Sequence, residues 1–146
     1  MSRLRSEPSV FELSRTADYG VRAVLHVAVH SGDGLCLAAD IAEAEDIPPD
    51  YVPKVLRGLV RAGLLRSHRG KTGGFSLARR PEDISLLDVI QALEGYPVLN
   101  RCLLRPGECP RDKRCPVHRV WLKARDTFLD YLRGATIASL LAETVK

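Results

Sequence analysis

The apolar positions of the chain change period several times, and each change marks an element. Over 13–30 the apolar residues Ala17, Val21, Val24, Leu25 and Ala28 recur at three- and four-residue steps, which predicts an amphipathic helix. Ser31-Gly32-Asp33-Gly34 then reads as a turn. A short helix follows over 37–45 with Leu37, Ile41 and Ala44 on one side, and Asp46-Ile47-Pro48-Pro49 stops it. A third helix starts at once. Asp50 can cap it, which puts Pro53 in the first turn, where a missing N–H costs little, whereas a start at Pro49 would make Pro53 harder to accommodate. Its apolar face is Val52, Val55, Leu56, Leu59, Val60 and Gly63, and Lys54, Arg57 and Arg61 line the opposite face.

Two short strands follow, over 64–68 and 75–78, flanking Gly70-Lys71-Thr72-Gly73-Gly74 as a glycine-tipped hairpin. Ser85 and Asp88 have the spacing of a capping box, with Ile84 and Val89 as the apolar staple, so a fourth helix begins here and stops at Gly95. The stretch 96–114 has no period. A long helix then begins at Pro116 and runs to Arg133, Gly134 ends it, and a last short helix starts at Thr136. The expected fold is mainly α with a small β-hairpin wing: a winged helix-turn-helix plus a long dimerisation helix. The expected divisions are a tail over 1–10, the winged helix-turn-helix over 11–95, a cysteine-bearing loop over 96–118, and the dimerisation and C-terminal helices over 116–146.

Composition narrows the function. A chain of 146 residues suits one domain with an added arm. Its apolar runs are shorter than the roughly 18 residues a membrane helix needs. Residues 1–10 are polar and charged, without the apolar core of a secretory signal, which leads to the expectation of a cytoplasmic protein. Aromatic residues are 5% of the chain, few for a platform that stacks single-stranded bases. No nucleophile–base pairing or substrate motif points to an enzyme or to a small-molecule substrate.

The net charge of +4 is concentrated between 51 and 81, which holds no acidic residue but carries Lys54, Arg57, Arg61, Arg66, Arg69, Lys71, Arg79 and Arg80. A basic helix that can enter a major groove, next to a basic hairpin whose glycines allow close backbone approach, suits double-stranded DNA. The residues expected at that interface are Pro49, Tyr51, Lys54, Arg57 and Arg61 around the third helix, and Arg69, Gly70, Lys71, Thr72 and Gly73 in the wing. Gly70-Lys71-Thr72 also imitates the end of a nucleotide-binding loop. Such a loop needs glycine where Leu65 stands and a helix after the threonine, and neither is expected here.

Cys102, Cys109 and Cys115 are spaced C-x6-C-x5-C in the aperiodic stretch, and His118 follows on the first turn of the long helix. Cys115 stands at that helix's N-terminus, where free N–H groups favour an anionic sulfur. Arg101, Arg105, Arg111, Lys113, Arg114 and Arg119 surround the loop and offset the charge of several thiolates. These spacings exceed those of zinc knuckles and suit a larger object wrapped by a loop, such as an iron–sulfur cluster. Zinc held by three Cys and one His, or a metal-free thiol switch, are the alternative readings. Cys36, between Leu35 and Leu37, reads as a core residue, and His26, His30 and His68 as ordinary packed or surface histidines.

With these residues in place the chain resembles the iron–sulfur-dependent winged helix-turn-helix regulators, the family that includes IscR and NsrR. The likeness extends over nearly all of 11–145. It rests on Ala17-Asp18-Tyr19-Gly20-Val21-Arg22-Ala23, Tyr51-Val52-Pro53-Lys54-Val55-Leu56, Arg69-Gly70-Lys71-Thr72-Gly73-Gly74-Phe75, and the set Cys102, Cys109, Cys115 and His118. The resemblance implies a homodimer on a palindromic promoter site. It implies regulation, with repression the commoner output, under control of nitric oxide, redox state or iron–sulfur status. It also implies one [2Fe-2S] or [4Fe-4S] cluster per subunit and dimerisation through Val117, Val120, Trp121, Ala124, Phe128, Tyr131 and Leu132. His118 matches the fourth ligand of the IscR-like branch, and Asp18 matches the carboxylate that NsrR-like proteins present from the partner subunit. The six residues between Cys102 and Cys109 depart from the family's usual five.

Overall fold

The computed structural model describes residues 12–100, 103, 110, 111 and 114–144. Cys102, Cys109 and the tail over 1–10 lie outside the described residues. The helices are α1 (Arg15–Val29), α2 (Ala38–Ala44), α3 (Val52–Arg61), α4 (Leu86–Glu94), α5 (Pro116–Gly134) and α6 (Ile137–Thr144). Strands β1 (Leu65–His68) and β2 (Gly74–Leu77) form an antiparallel hairpin in which Leu65 faces Leu77 and His68 faces Gly74. The order is that of a winged helix-turn-helix followed by a long helix, as the periodicities predict.

Local chemistry explains most boundaries. The Ser14 side chain accepts from the Ala17 N–H at 3.1 Å and starts α1 slightly later than the apolar pattern alone suggests. After α2, Asp46 takes a left-handed conformation at φ 51°, and the Ile47 N–H returns to the Ala42 carbonyl at 2.9 Å, closing the helix end. This is the tight turn of the helix-turn-helix. The cap of α3 is Tyr51 and not Asp50, with no side-chain cap bond, and Pro53 falls in the first turn without loss. At α4 the expected capping box is complete. The Asp88 N–H donates to Ser85 Oγ at 3.0 Å, and the Ser85 N–H donates to Asp88 Oδ2 at 2.9 Å. Ser85→Ala should therefore cost about 1 kcal/mol. A chemical-denaturation midpoint shifted with unchanged slope checks this, and an unshifted midpoint would mean that the cap is idle.

The core gathers Val24 and Val27 of α1, Ile41 of α2, Val55 and Leu59 of α3, Leu64 and Leu65 at the hairpin, Ile84 and Val89 at α4, and Ile137 of α6. In α2 only Ile41 of the predicted face is buried. Leu37 and Ala44 are exposed, because so short a helix reaches the core through one residue, flanked by the half-buried Ala38 and Ala42. Cys36 is buried in this core, as its apolar neighbours suggest. Its N–H donates to the Phe75 carbonyl at 3.0 Å and its own carbonyl accepts from the Phe75 N–H at 2.8 Å, so this segment pins the wing to the body. Burial first, then the carboxylates of Asp33 and Asp40, push the Cys36 thiol pKa up, which disfavours the reactive thiolate.

The C-terminal helix returns to the body. The Leu86 N–H donates to the Ala135 carbonyl and the Ile137 N–H donates to the Ile84 carbonyl, both at 2.8 Å, and α6 packs on α1. Helix α5 includes Gly134 and is capped by Ala135. It packs against α4, and Leu129 is its one buried residue among those described.

Candidate functional site

The basic face forms where α3 and the wing come together. Lys54, Arg57 and Arg61 project from the exposed side of α3, while Val55, Leu56 and Leu59 hold the opposite side in the core. In the wing the Gly73 N–H donates to the Gly70 carbonyl at 3.0 Å, a tight turn that leaves Lys71 and Thr72 exposed at the tip. A side chain on Gly73 would collide with the His68 carbonyl, and Gly70 sits at φ 106°, so both glycines are required by the turn. The hairpin begins and ends one residue away from the predicted limits. Gly74 belongs to β2, pressed so close to the Cys36 carbonyl that a Cβ there would lie at 2.7 Å.

Pairing separates the cations of this face from others in the molecule. Arg22 holds Asp18 at 2.9 Å, Arg80 holds Asp83 at 3.0 Å, and Arg125 holds Asp126 at 2.9 Å. Lys54, Arg57, Arg61, Arg66, Arg69, Lys71 and Arg79 have no carboxylate partner among the described residues. Among the described residues their charge is uncompensated, and it is open to phosphate. Pro49 is exposed in the turn that precedes α3. Tyr51 is placed differently: it is half-buried, and its ring meets Tyr19 edge-on at 5.0 Å, so it props α3 against α1.

At the start of α5, Cys115 is a free, half-buried thiol in the cap position, and it makes no side-chain cap bond. Its N–H donates to the Arg111 carbonyl at 2.7 Å, and its carbonyl accepts from the His118 N–H at 3.1 Å. The backbone thus sets both side chains on one helical turn. His118 Nδ1 is buried and has no hydrogen-bond partner among the described residues. A buried ring nitrogen without a partner is costly unless it serves as a ligand, and thiolate with imidazole is a donor set that iron accepts. These two residues fit a cluster site. Cys102 and Cys109 lie outside the described residues, and among the described ones no three His, Cys, Asp or Glu side chains converge on a metal position. Asp18, the alternative fourth ligand, is half-exposed in the first turn of α1 and engaged by Arg22. The structure of one chain does not bring it to Cys115.

Along α5, Val117, Val120, Phe128 and Tyr131 are exposed, Trp121, Ala124 and Leu132 are half-buried, and Leu129 faces inward. The helix therefore has two apolar faces, one packed on α4 and one open. Sequence periodicity picks out the open face and misses Leu129. Of the other histidines, His26 Nδ1 meets Glu45 Oε1 at 3.2 Å, His30 Nδ1 meets Asp33 Oδ2 at 3.3 Å, and His68 Nε2 meets Ser76 Oγ at 2.9 Å.

A helix-turn-helix with a basic recognition helix and a basic wing defines a winged-helix, DNA-binding transcriptional regulator. The chain belongs to the Rrf2 family, described as "Iron-dependent Transcriptional regulator", whose model matches residues 13–143. It is similar to the HTH-type transcriptional regulator IscR of Pectobacterium carotovorum subsp. carotovorum, with 33% identity over 129 residues, 88% of this chain and 78% of the relative. Among solved structures it is similar to T. potens IscR, with 30% identity and a TM-score of 0.74 over 92% of this chain and 88% of that one. It is also similar to CymR, the global cysteine regulator of B. subtilis, with 26% identity and a TM-score of 0.73 over 92% and 98% of the two chains. Its relatives are transcriptional regulators and not enzymes, and none of its described helices is long and apolar enough to cross a membrane.

Proposed function

We propose that this regulator controls promoter affinity through an iron–sulfur cluster, [2Fe-2S] or [4Fe-4S], one per subunit. The cluster is held by Cys102, Cys109 and Cys115, with His118 as fourth ligand and Asp18 of the partner subunit as the alternative. The observation that carries this reading is the buried His118 Nδ1, without a partner among the described residues, one turn after the Cys115 thiol, which makes no cap bond. It favours His118 over Asp18, whose carboxylate is already engaged by Arg22. The protein acts as a repressor in the cytoplasm, as a homodimer on a palindromic site, and responds to nitric oxide, redox state or iron–sulfur status.

The protein's own residues divide the work. Lys54, Arg57 and Arg61 bring α3 to the phosphates at a major groove, and Arg69, Lys71 and Thr72 carry the wing to the adjoining backbone. The open stripe from Val117 to Tyr131 pairs with its copy and fixes the spacing of the two recognition helices. Cys115 and His118 anchor the loop to the start of that same stripe. When bound, the cluster supplies iron centres that tie the loop's thiolates together and that react with the signal. Cys115 and His118 would pass a change at the loop to the start of α5, and through α5 to the spacing of the two half-sites.

The test is anaerobic purification, with iron, sulfide and zinc measured on the sample used for the absorption spectrum. Brown protein containing iron and sulfide is the expected result. Colourless protein with stoichiometric zinc would make the loop a structural staple and end the cluster reading. Colourless, metal-free protein that forms a reversible disulfide after attempted reconstitution would make it a thiol switch.

A further inference from the structure

Leu93 is the penultimate residue of α4, close to where the chain leaves that helix for the cysteine-bearing stretch. Its side chain lies where two other helices have given up theirs. A Cβ on Gly20 of α1 would collide with Leu93 Cδ1, and a Cβ on Gly58 of α3 would lie 2.6 Å from Leu93 Cδ2. Both glycines are inside helices, where alanine is the more favourable residue. Neither has a positive φ, so backbone conformation does not demand them. What they provide is a socket for one leucine.

The socket joins the two ends of the molecule's task. On one side the next residue, Glu94, accepts the Ser14 N–H at 3.0 Å, and Gly95, at φ 83°, turns the chain into the loop. On the other side Leu93 and Ala92 border a cleft of about 200 Å³ whose remaining lining is Thr16, Gly58, Lys54, Arg57 and Arg61. Gly58 is thus flanked by the cations proposed to meet DNA. Close-packed interfaces do not deform smoothly, so a shift at the end of α4 must either carry α3 along or unseat Leu93.

We infer that Leu93 is a positioning residue that passes the state of the cysteine-bearing loop to the basic face of α3. The inference rests on the cluster-sensing reading above. It makes a leucine that is neither a DNA-facing cation nor a cluster ligand decide how far the two sites are coupled.

The experiment compares wild type, Leu93→Ala and Leu93→Met, each cluster-loaded and cluster-free. Affinity is measured on a DNA duplex enriched by the wild-type protein from a random-sequence pool, and amide hydrogen exchange is followed across α3. Wild type should show an affinity ratio between the two states of about 5- to 150-fold, with altered exchange in α3. Leu93→Ala should compress the ratio to within about threefold and remove the exchange difference, while Leu93→Met, which refills the socket, restores both. A melting curve establishes that the alanine variant is folded, and Leu93→Val replaces it if it is not. A folded alanine or valine variant that keeps the wild-type ratio and exchange difference overturns the role of Leu93 alone. Equal affinities of the two states in wild type overturn cluster sensing, and this inference with it.

Discussion

Cys115→Ala yields a folded protein that no longer takes up iron and sulfide. The backbone at this position is held from both sides, by the Arg111 carbonyl and by the His118 N–H, and the thiol caps nothing. Alanine keeps those bonds, so the effect on stability should stay near the ±0.5 kcal/mol typical of an uninvolved position. The effect on the cluster is much larger, because one of its protein thiolates is gone and the buried imidazole beside it cannot replace the sulfur. Visible absorption should vanish, and iron and sulfide per chain should fall to background, with the melting temperature little changed from that of the cluster-free wild type. Full retention of both would remove Cys115 from the ligand set. His118→Gln should have a weaker effect, leaving the three thiolates in place.

The second large effect concerns DNA. Arg57→Ala combined with Lys71→Ala removes one cation from α3 and one from the wing, both exposed and both without a carboxylate partner among the described residues. Each cation withdrawn from a phosphate should reduce the dependence of log K on log salt by about one. Hydrogen bonds to charged groups contribute about 1.5–3 kcal/mol, so each such substitution should lower affinity roughly tenfold or more. The weakening should be similar on specific and non-specific duplexes, because phosphates carry no sequence. Titrations at several salt concentrations measure both quantities. An unchanged slope in the double variant would place the DNA-facing surface elsewhere on the molecule.

Much of the fold is legible because strong local signals agree with the global packing. The capping box at Ser85 and Asp88, the glycine-tipped hairpin and the proline at the start of α5 each act within a few residues, and each appears where its spacing indicates. Differences arise where a helix is set by contacts beyond itself. The cap of α3 is Tyr51 and not Asp50, and the Tyr51 ring packs on Tyr19, a contact that local spacing does not reveal. Leu37 and Ala44 have the right spacing for a buried face, yet only Ile41 reaches the core. Leu129 is hidden from periodicity because α5 carries apolar residues on two sides, and the pattern reports only the more regular stripe.

The candidate site divides in the same way. An acid-free run from 51 to 81 is a property of composition, and burial of one side of α3 leaves its cations little choice but to face outward. The set of Cys102, Cys109, Cys115 and His118 is likewise a property of the chain, since residue type and spacing suffice to nominate ligands. Only tertiary structure could show that, among the described residues, His118 Nδ1 is buried without a partner and Arg57 lacks the carboxylate pairing that Arg80 has, and that Asp18 is paired with Arg22. Only tertiary structure could show that Gly20, Gly58 and Leu93, scattered along the sequence, form one socket. Periodicity and charge are local sums over neighbours in the chain, whereas burial, pairing and close approach depend on which distant residues the fold brings together.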